Sequence, residues 1–232
     1  MKKNVLITGG SGFIGVNLIE LLIKQSNYSI LNIDVKKPPI KEHLSVFKMI
    51  SILDKHSLIK AIEDFKPEIV IHLSARTDTD PKTTLKDYEV NTLGSYNLIE
   101  ALEKCPSIKR VIFTSTQFVN QYHGTPEHDE DFAPHTVYGE SKVLMEQRIR
   151  QSNLPFEWVI IRPTNIWGPW HIRYPYEFWN VLSKGLYIHP GGEKVMRSYG
   201  YVGNVVWQIL HMMNAESNKI NHQVFYVGDK PI

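Results

Sequence analysis

Thr8-Gly9-Gly10-Ser11-Gly12-Phe13-Ile14-Gly15 is the stretch on which the fold of this chain turns. Before it stands Asn4-Val5-Leu6-Ile7, a short apolar run of β character. After it comes Val16-Asn17-Leu18-Ile19-Glu20-Leu21-Leu22-Ile23-Lys24, with helical periodicity. Gly9, Gly12 and Gly15 therefore fall where a strand passes into a helix. Glycine there permits a positive φ and lets backbone touch a ligand. The N–H groups at the helix start, with the dipole behind them, favour an anion such as a pyrophosphate. Asp34 lies nineteen residues past Gly15, at the end of a second apolar run over 29–33. A carboxylate there accepts hydrogen bonds from a ribose diol and repels a 2′-phosphate. The context predicts a bound dinucleotide, NAD ahead of NADP, although Lys36 and Lys37 close by weaken that preference. The competing reading is a packing turn beside an empty crevice.

Working outward, strand-like runs at 5–8, 29–34, 69–73, 110–114 and 158–162 alternate with helical patterns at 12–25, 55–65, 84–104 and 138–151. Short apolar strands without polar alternation imply burial on both faces. The expected fold class is therefore α/β, a Rossmann-like doubly wound parallel sheet. The expected division is 1–165 for the dinucleotide-binding domain. Residues 166–232 then form a small, partial substrate-binding region interleaved with it. The segment Trp167-Gly168-Pro169-Trp170-His171-Ile172-Arg173-Tyr174-Pro175-Tyr176 reads as loop.

Composition narrows the function classes. A chain of 232 residues, 42% hydrophobic and 22% charged, matches an ordinary soluble globular protein. Its net charge of +2, without a long basic run, leaves no footprint for nucleic acid. The ten histidines are scattered with no ligand-like spacing, so no metal is expected. Cys105 alone forms no internal disulfide and fits a reducing compartment. No stretch approaches the roughly 18 apolar residues of a membrane span, and a cytoplasmic location is the expectation.

Thr136-Val137-Tyr138-Gly139-Glu140-Ser141-Lys142 carries the second constellation. A spacing of four on a helix puts Tyr138 and Lys142 on one face. An ammonium beside a phenol stabilises the phenolate and lowers its pKa from about 10. A phenol so tuned takes a proton from a hydroxyl or returns one to a carbonyl. Alone, the pair would read as an exposed helix-surface contact; its place after four strand–helix units argues for chemistry. Thr116, in Phe113-Thr114-Ser115-Thr116, follows the fourth long strand. A hydroxyl at the carboxyl end of a parallel strand faces the ligand crevice.

Further motifs follow in order: His72-Leu73-Ser74-Ala75, Asn91-Thr92-Leu93-Gly94-Ser95-Tyr96-Asn97-Leu98-Ile99-Glu100-Ala101, and Arg162-Pro163-Thr164-Asn165-Ile166-Trp167-Gly168-Pro169. With the motifs above, the chain resembles the extended short-chain dehydrogenases/reductases, specifically the NAD-dependent epimerase/dehydratase family acting on nucleotide sugars. The resemblance implies Tyr138 as general acid/base, Lys142 on the nicotinamide ribose, and Thr116 as the substrate-orienting hydroxyl. It implies Gly9, Gly12, Phe13, Ile14 and Gly15 around the pyrophosphate and Asp34 on the adenosine ribose. Ser51 and Ile52 fall where an Asp–Ile pair usually meets adenine. Leu73, Ser74 and Ala75 would line the dinucleotide, with Asn91 supporting that wall. Pro163 would lie by the nicotinamide, Asn165 near the substrate diphosphate, and Arg197 on the nucleotide diphosphate. A nucleotide-sugar substrate and a homodimer through the helices at 84–104 and 138–151 are implied as well. Leu93, Leu98, Leu102, Leu144 and Ile149 are candidates for its apolar surface, and could equally face the sheet.

Four departures from the family pattern bear on function. Ser51 replaces a carboxylate. Gln117-Phe118 stands where the dehydratase branch has Asp-Glu, so the acid that would expel water is missing. The arginine segment has Ser198 and Tyr201 where the family has Asp and His, and the sequence ends near the family's last substrate-domain stretch. The leading expectation is a nucleotide-sugar epimerase. Its rivals are an NAD(P)H-dependent reductase of a keto-sugar or other carbonyl and a dinucleotide-binding protein without turnover.

Overall fold

The computed structural model describes residues 2–120, 126–172, 178–188, 191–192 and 197–229. Its frame is a sheet of seven parallel strands: β1 (Lys3–Thr8), β2 (Tyr28–Asp34), β3 (Phe47–Met49), β4 (Ile69–His72), β5 (Arg110–Thr114), β6 (Glu157–Pro163) and, after a small second sheet, β9 (Gln223–Val227). The spatial order is β3-β2-β1-β4-β5-β6-β9. From β1 the chain builds outward to one edge, then returns to build the other from β4. That reversal opens a crevice at the carboxyl ends of β1 and β4, where doubly wound sheets bind ligands. Register puts Thr8 beside Ile33 and His72, and Pro163 beside Val227. The strand tips therefore share one edge.

Burial explains the layers. Every residue of β4 and β5 is buried, as strands covered on both faces must be. On one face α1 (Phe13–Gln25) lays Leu18, Ile19 and Leu22 against Val5, Ile7, Ile71 and Ile112. Beside it packs α6 (Val202–Asn214) through Val205, Val206, Ile209 and Met213. The other face is covered by α2 (Lys55–Phe65), α3 (Leu93–Glu103) and α4 (Val137–Gln151), over Leu6, Val70, Val111, Phe113 and Ile160. The C-terminal part thus returns to the main sheet, with α6 under it and β9 completing it. A two-stranded parallel sheet of β7 (Asn165–Trp167) and β8 (Tyr199–Tyr201) stands past the tip of β6. The described residues also form two short helices, α5 (Asn180–Ser183) and α7 (Ser217–Ile220).

One expected element breaks. The helical pattern at 84–104 divides into a 3-10 turn, Leu85–Tyr88, and α3. Thr84 and Asp87 cap that turn reciprocally, and Asn91 leaves the helical path to hold neighbouring backbone. Side-chain demand there overrides the periodicity. In the loop expected at 167–176, Trp167 closes β7, and residues 173–177 lie outside the described ones.

Candidate active site

The glycine loop joins the tip of β1 to α1, and its glycines serve different ends. Gly9 has φ +72°, and a Cβ there would sit 2.5 Å from the Ser74 nitrogen. A Cβ on Gly15 would meet the Gly10 Cα at 2.5 Å, so the loop and α1 touch backbone to backbone. Gly12 differs: its φ is an ordinary −82°, and a Cβ would meet only the Gly9 carbonyl, at 3.2 Å. The space in front of it is open. Gly12 also caps α1 without any side-chain hydrogen bond. The first intrahelical bond is Val16 N–H to the Gly12 carbonyl at 2.9 Å, so the N–H groups of Phe13, Ile14 and Gly15 precede the ladder. An uncapped helix start behind open space suits an anion. Asp34, at the tip of β2, accepts from Ser11 N–H and Lys36 N–H, both at 3.0 Å. Those bonds fix the carboxylate and leave it acceptor capacity.

Residues after β4 form the adjoining wall. Thr8 Oγ1 lies 2.7 Å from His72 Nδ1, and His72 Nε2 lies 2.9 Å from Ser95 Oγ. Burial pushes His72 down to about 3, with the charge of Lys142 adding to the effect, so this imidazole is neutral. Leu73, Ser74 and Ala75 follow, each half-buried. Asn91 is wholly buried. Its amide donates to the Arg76 carbonyl and to Ser141 Oγ, both at 2.9 Å, and its carbonyl accepts from Arg76 N–H at 2.8 Å. Asn91 thereby ties the wall to α4. Ser51 is half-buried, and its hydroxyl accepts from Leu53 N–H. Ile52 turns its side chain into the core against Gly94.

The catalytic candidates gather where α4 meets the tip of β5. Thr136 caps α4 by accepting from Gly139 N–H at 3.0 Å. A Cβ on Gly139 would lie 2.3 Å from the Phe118 carbonyl, so α4 starts hard against the 3-10 turn Gln117–Val119. Thr116 caps that turn and is 5% exposed. Tyr138 is 7% exposed, its ring 6.3 Å from those of Tyr88 and Phe118. Lys142 is 1% exposed, and its Nζ donates to the Thr114 carbonyl at 2.8 Å. Burial pulls the ammonium down to about 8, against the opposing pull of Glu146. A buried cation is thus fixed one turn along the helix from a phenol and anchored on Thr114, two residues before Thr116. That set can move a proton between the phenol and a substrate oxygen. The buried hydroxyls of Thr114 and Ser115 have no hydrogen-bond partner among the described residues. Such orphans at a strand tip fit a ligand-facing edge.

On the far side, Pro163 ends β6. Asn165 donates from its amide to the Ser198 carbonyl at 3.0 Å. Arg197, the residue before Ser198, is exposed at the entry to β8. Asn165 and Arg197 are therefore neighbours across the small sheet, next to Trp167 and Tyr201, whose rings are 5.1 Å apart. Sequence reasoning missed His72, Ser95 and Ser141 as supports. The available signal was polar side chains inside otherwise apolar runs. It also gave no role to Glu146 or Arg162. Among the described residues no cluster of metal-ligand type occurs, and no helix is long and apolar enough to cross a membrane.

The sequence profile of the NAD dependent epimerase/dehydratase family matches residues 5–228. The chain belongs to that family. An N-acetyl-alpha-D-glucosaminyl-diphospho-ditrans,octacis-undecaprenol 4-epimerase of Escherichia coli O157:H7 is 29% identical over 100% of this chain and 69% of its own length. A UDP-glucose 4-epimerase of Vibrio cholerae is 31% identical over 99% of this chain and 71% of its own. The crystal structure of a UDP-glucose 4-epimerase from Thermotoga maritima with UDP-glucose superposes with a TM-score of 0.81 at 26% identity, covering 97% of this chain and 76% of that one. Family relatives also include dehydratases and a decarboxylase. Membership thus establishes the epimerase/dehydratase class, and the individual reaction has to be argued from the site.

Proposed function

We propose that this family member is an NAD-dependent epimerase of a nucleotide sugar, with Thr116, Tyr138 and Lys142 as its catalytic set. One observation carries the choice within the family. Lys142 is buried and anchored beside Tyr138, while Gln117 and Phe118 offer no acid next to Thr116. Acid–base chemistry at a carbinol is thereby equipped, and expulsion of water is not. A protein that only bound a dinucleotide would have no use for a buried ammonium, which is costly to desolvate.

The cradle fits NAD. The open front of Gly12 and the uncapped start of α1 receive a pyrophosphate, Phe13, Ile14 and Gly15 supplying N–H groups. Asp34 is fixed where it can accept from a ribose diol and would repel a 2′-phosphate. Ser51 and Ile52 lie toward the adenine, the latter through backbone alone. Leu73, Ser74 and Ala75 line the wall that Asn91 holds, and Pro163 closes the nicotinamide side. Bound there, NAD would supply reversible hydride acceptance at the sugar carbon.

The chain's own residues do the rest. Lys142 stabilises the Tyr138 phenolate and is placed to bond a ribose hydroxyl. Thr116 holds the reacting sugar oxygen. Tyr138 takes the proton from that oxygen as the carbonyl forms and gives it back as the new hydroxyl forms, so the phenol ends as it began. Asn165 and Arg197 bind the diphosphate of the substrate. The test is turnover: purified protein incubated with UDP-, GDP- and dTDP-hexoses and followed by NMR should give a C-epimer without net consumption of NAD. Tyr138→Phe should lose at least about 100-fold of that rate. No turnover of any sugar, with wild type and Tyr138→Phe alike, overturns the reading. Stoichiometric consumption of NADH or NADPH would instead make the same residues those of a keto-sugar reductase.

A further inference from the structure

Behind the catalytic face lies a second charged set that the mechanism does not use. Arg162, near the carboxyl end of β6, is fully buried. Its guanidinium meets Glu146 of α4 in a fork, Nε to Oε1 at 3.0 Å and one terminal nitrogen to Oε2 at 2.8 Å. Glu146 is fully buried as well. The remaining donors of Arg162 reach the Asp129 backbone carbonyl at 2.5 Å, the Tyr226 hydroxyl of β9 at 3.1 Å and the side-chain amide oxygen of Asn120 at 3.4 Å. Tyr226 in turn donates to Asn120.

Two features separate this pair from an ordinary buried ion pair. Glu146 stands one helical turn beyond Lys142, on the face that carries Tyr138, and it is the group that opposes the effect of burial on Lys142. Arg162 also grips the segment leading into α4, because Asp129 precedes the Thr136 cap by only seven residues. A buried pair of this kind is weak evidence for stability, since apolar replacements often serve as well. Its location suits the setting of a charge.

We propose that Glu146 and Arg162 are positioning residues for Lys142: Glu146 supplies the counter-charge that keeps the buried ammonium on the Thr114 carbonyl, and Arg162 fixes both that carboxylate and the approach to α4. The proposal rests on the catalytic role given to Lys142 above. Among the described residues, several charged and titratable groups face the pair. Lys142 is faced by Tyr138 and Glu146 from its own helix and by neutral His72 from β4. Glu146 is faced by Arg162 from β6 and by Arg150, 3.9 Å away on α4, which itself lies 3.6 Å from Glu130. Tyr226 of β9 touches only Arg162 and Asn120 within this set.

The sign of the effect separates positioning by charge from mere packing. Glu146→Gln removes the counter-charge and strands the Arg162 cation, so Lys142 should lose its proton more easily. Arg162→Met frees the full charge of Glu146, so Lys142 should hold its proton more tightly. The measurement is the NMR titration of the Lys142 side chain in selectively 13C-lysine-labelled protein, assigned by the signal absent in Lys142→Met. Wild type should titrate near 8, Glu146→Gln about a unit lower, and Arg162→Met higher. The alkaline limb of kcat, where the ammonium loses its proton, should shift with each midpoint. Shifts in one direction for both variants, or no shift in either, overturn the proposal. Should the single variants not fold, the double variant Glu146→Gln with Arg162→Met removes both charges. It should still lower the midpoint, and an unchanged midpoint there is equally fatal. Lys142 titrates whether or not a sugar turns over, so failure here is distinct from failure of the proposed reaction.

Discussion

Lys142 concentrates the energetic conflict of this fold in one side chain. Its pKa falls from 10.5 to about 8 because folding takes the ammonium out of water. At 1.36 kcal/mol per unit, the charged form therefore costs roughly 3 kcal/mol of stability at neutral pH. Between pH 8 and 10.5 the unfolded chain binds more protons than the folded one, so this contribution makes stability rise with pH through that window. Lys142→Met lacks that rise. Denaturant titrations at pH 8 and pH 10.5 should show wild type gaining about 3 kcal/mol on the variant, and a constant difference would contradict the burial argument. At pH 7 the gain from removing the charge is offset by about 1–3 kcal/mol, because Met leaves the Thr114 carbonyl without its donor. Turnover should be lost throughout. The position of Lys142 was legible from its spacing to Tyr138. Glu146 and Arg162 were not, because the pair joins residues sixteen apart on different elements, and no local periodicity records such a contact.

Among the elements, α1 and its loop were the most legible, since the glycine requirement is local. The requirement is nevertheless not uniform. Gly15 is glycine because α1 packs on the Gly10 backbone, whereas Gly12 has an ordinary φ and free space ahead. Gly15→Ala should cost about 1–3 kcal/mol, as overpacking against backbone does. Gly12→Ala should cost under about 1 kcal/mol yet remove the room for a pyrophosphate. Thermal unfolding with native mass spectrometry separates the two: Gly12→Ala should stay folded and retain no NAD. If it binds NAD as wild type does, the cradle lies elsewhere. Less legible was the break at Asn91, where a side chain recruited to hold Arg76 and Ser141 outweighs helix propensity. Also hidden was β9: Gln223, Val224, Phe225 and Tyr226 alternate little and are only partly buried, as an edge strand permits.

For the whole molecule, sequence order alone indicated a doubly wound sheet, but not how its outer surfaces are used. Of the apolar residues open to either a dimer contact or the sheet, Leu98, Leu102 and Ile149 face the sheet and are fully buried. What α3 and α4 turn outward is smaller: Leu93, 49% exposed, with half-buried Tyr96 and Leu144. The two helices are bound to each other by the Tyr96 hydroxyl on the Leu144 carbonyl at 3.4 Å and by Arg148 lying over the Tyr96 ring. A two-fold contact repeats each of these residues on both sides, so a short apolar centre is doubled and its charged flanks, Glu100 and Arg148, meet their opposites. A homodimer through this face should appear by sedimentation at micromolar concentration. Leu93→Glu and Leu144→Glu together place four carboxylates in that centre, where none could be solvated. The variant should sediment as a monomer while its thermal unfolding stays close to that of wild type, because neither side chain contributes to the core. A wild-type protein that remains monomeric across that range would leave the α3–α4 face as ordinary surface and place every catalytic and binding requirement within one chain.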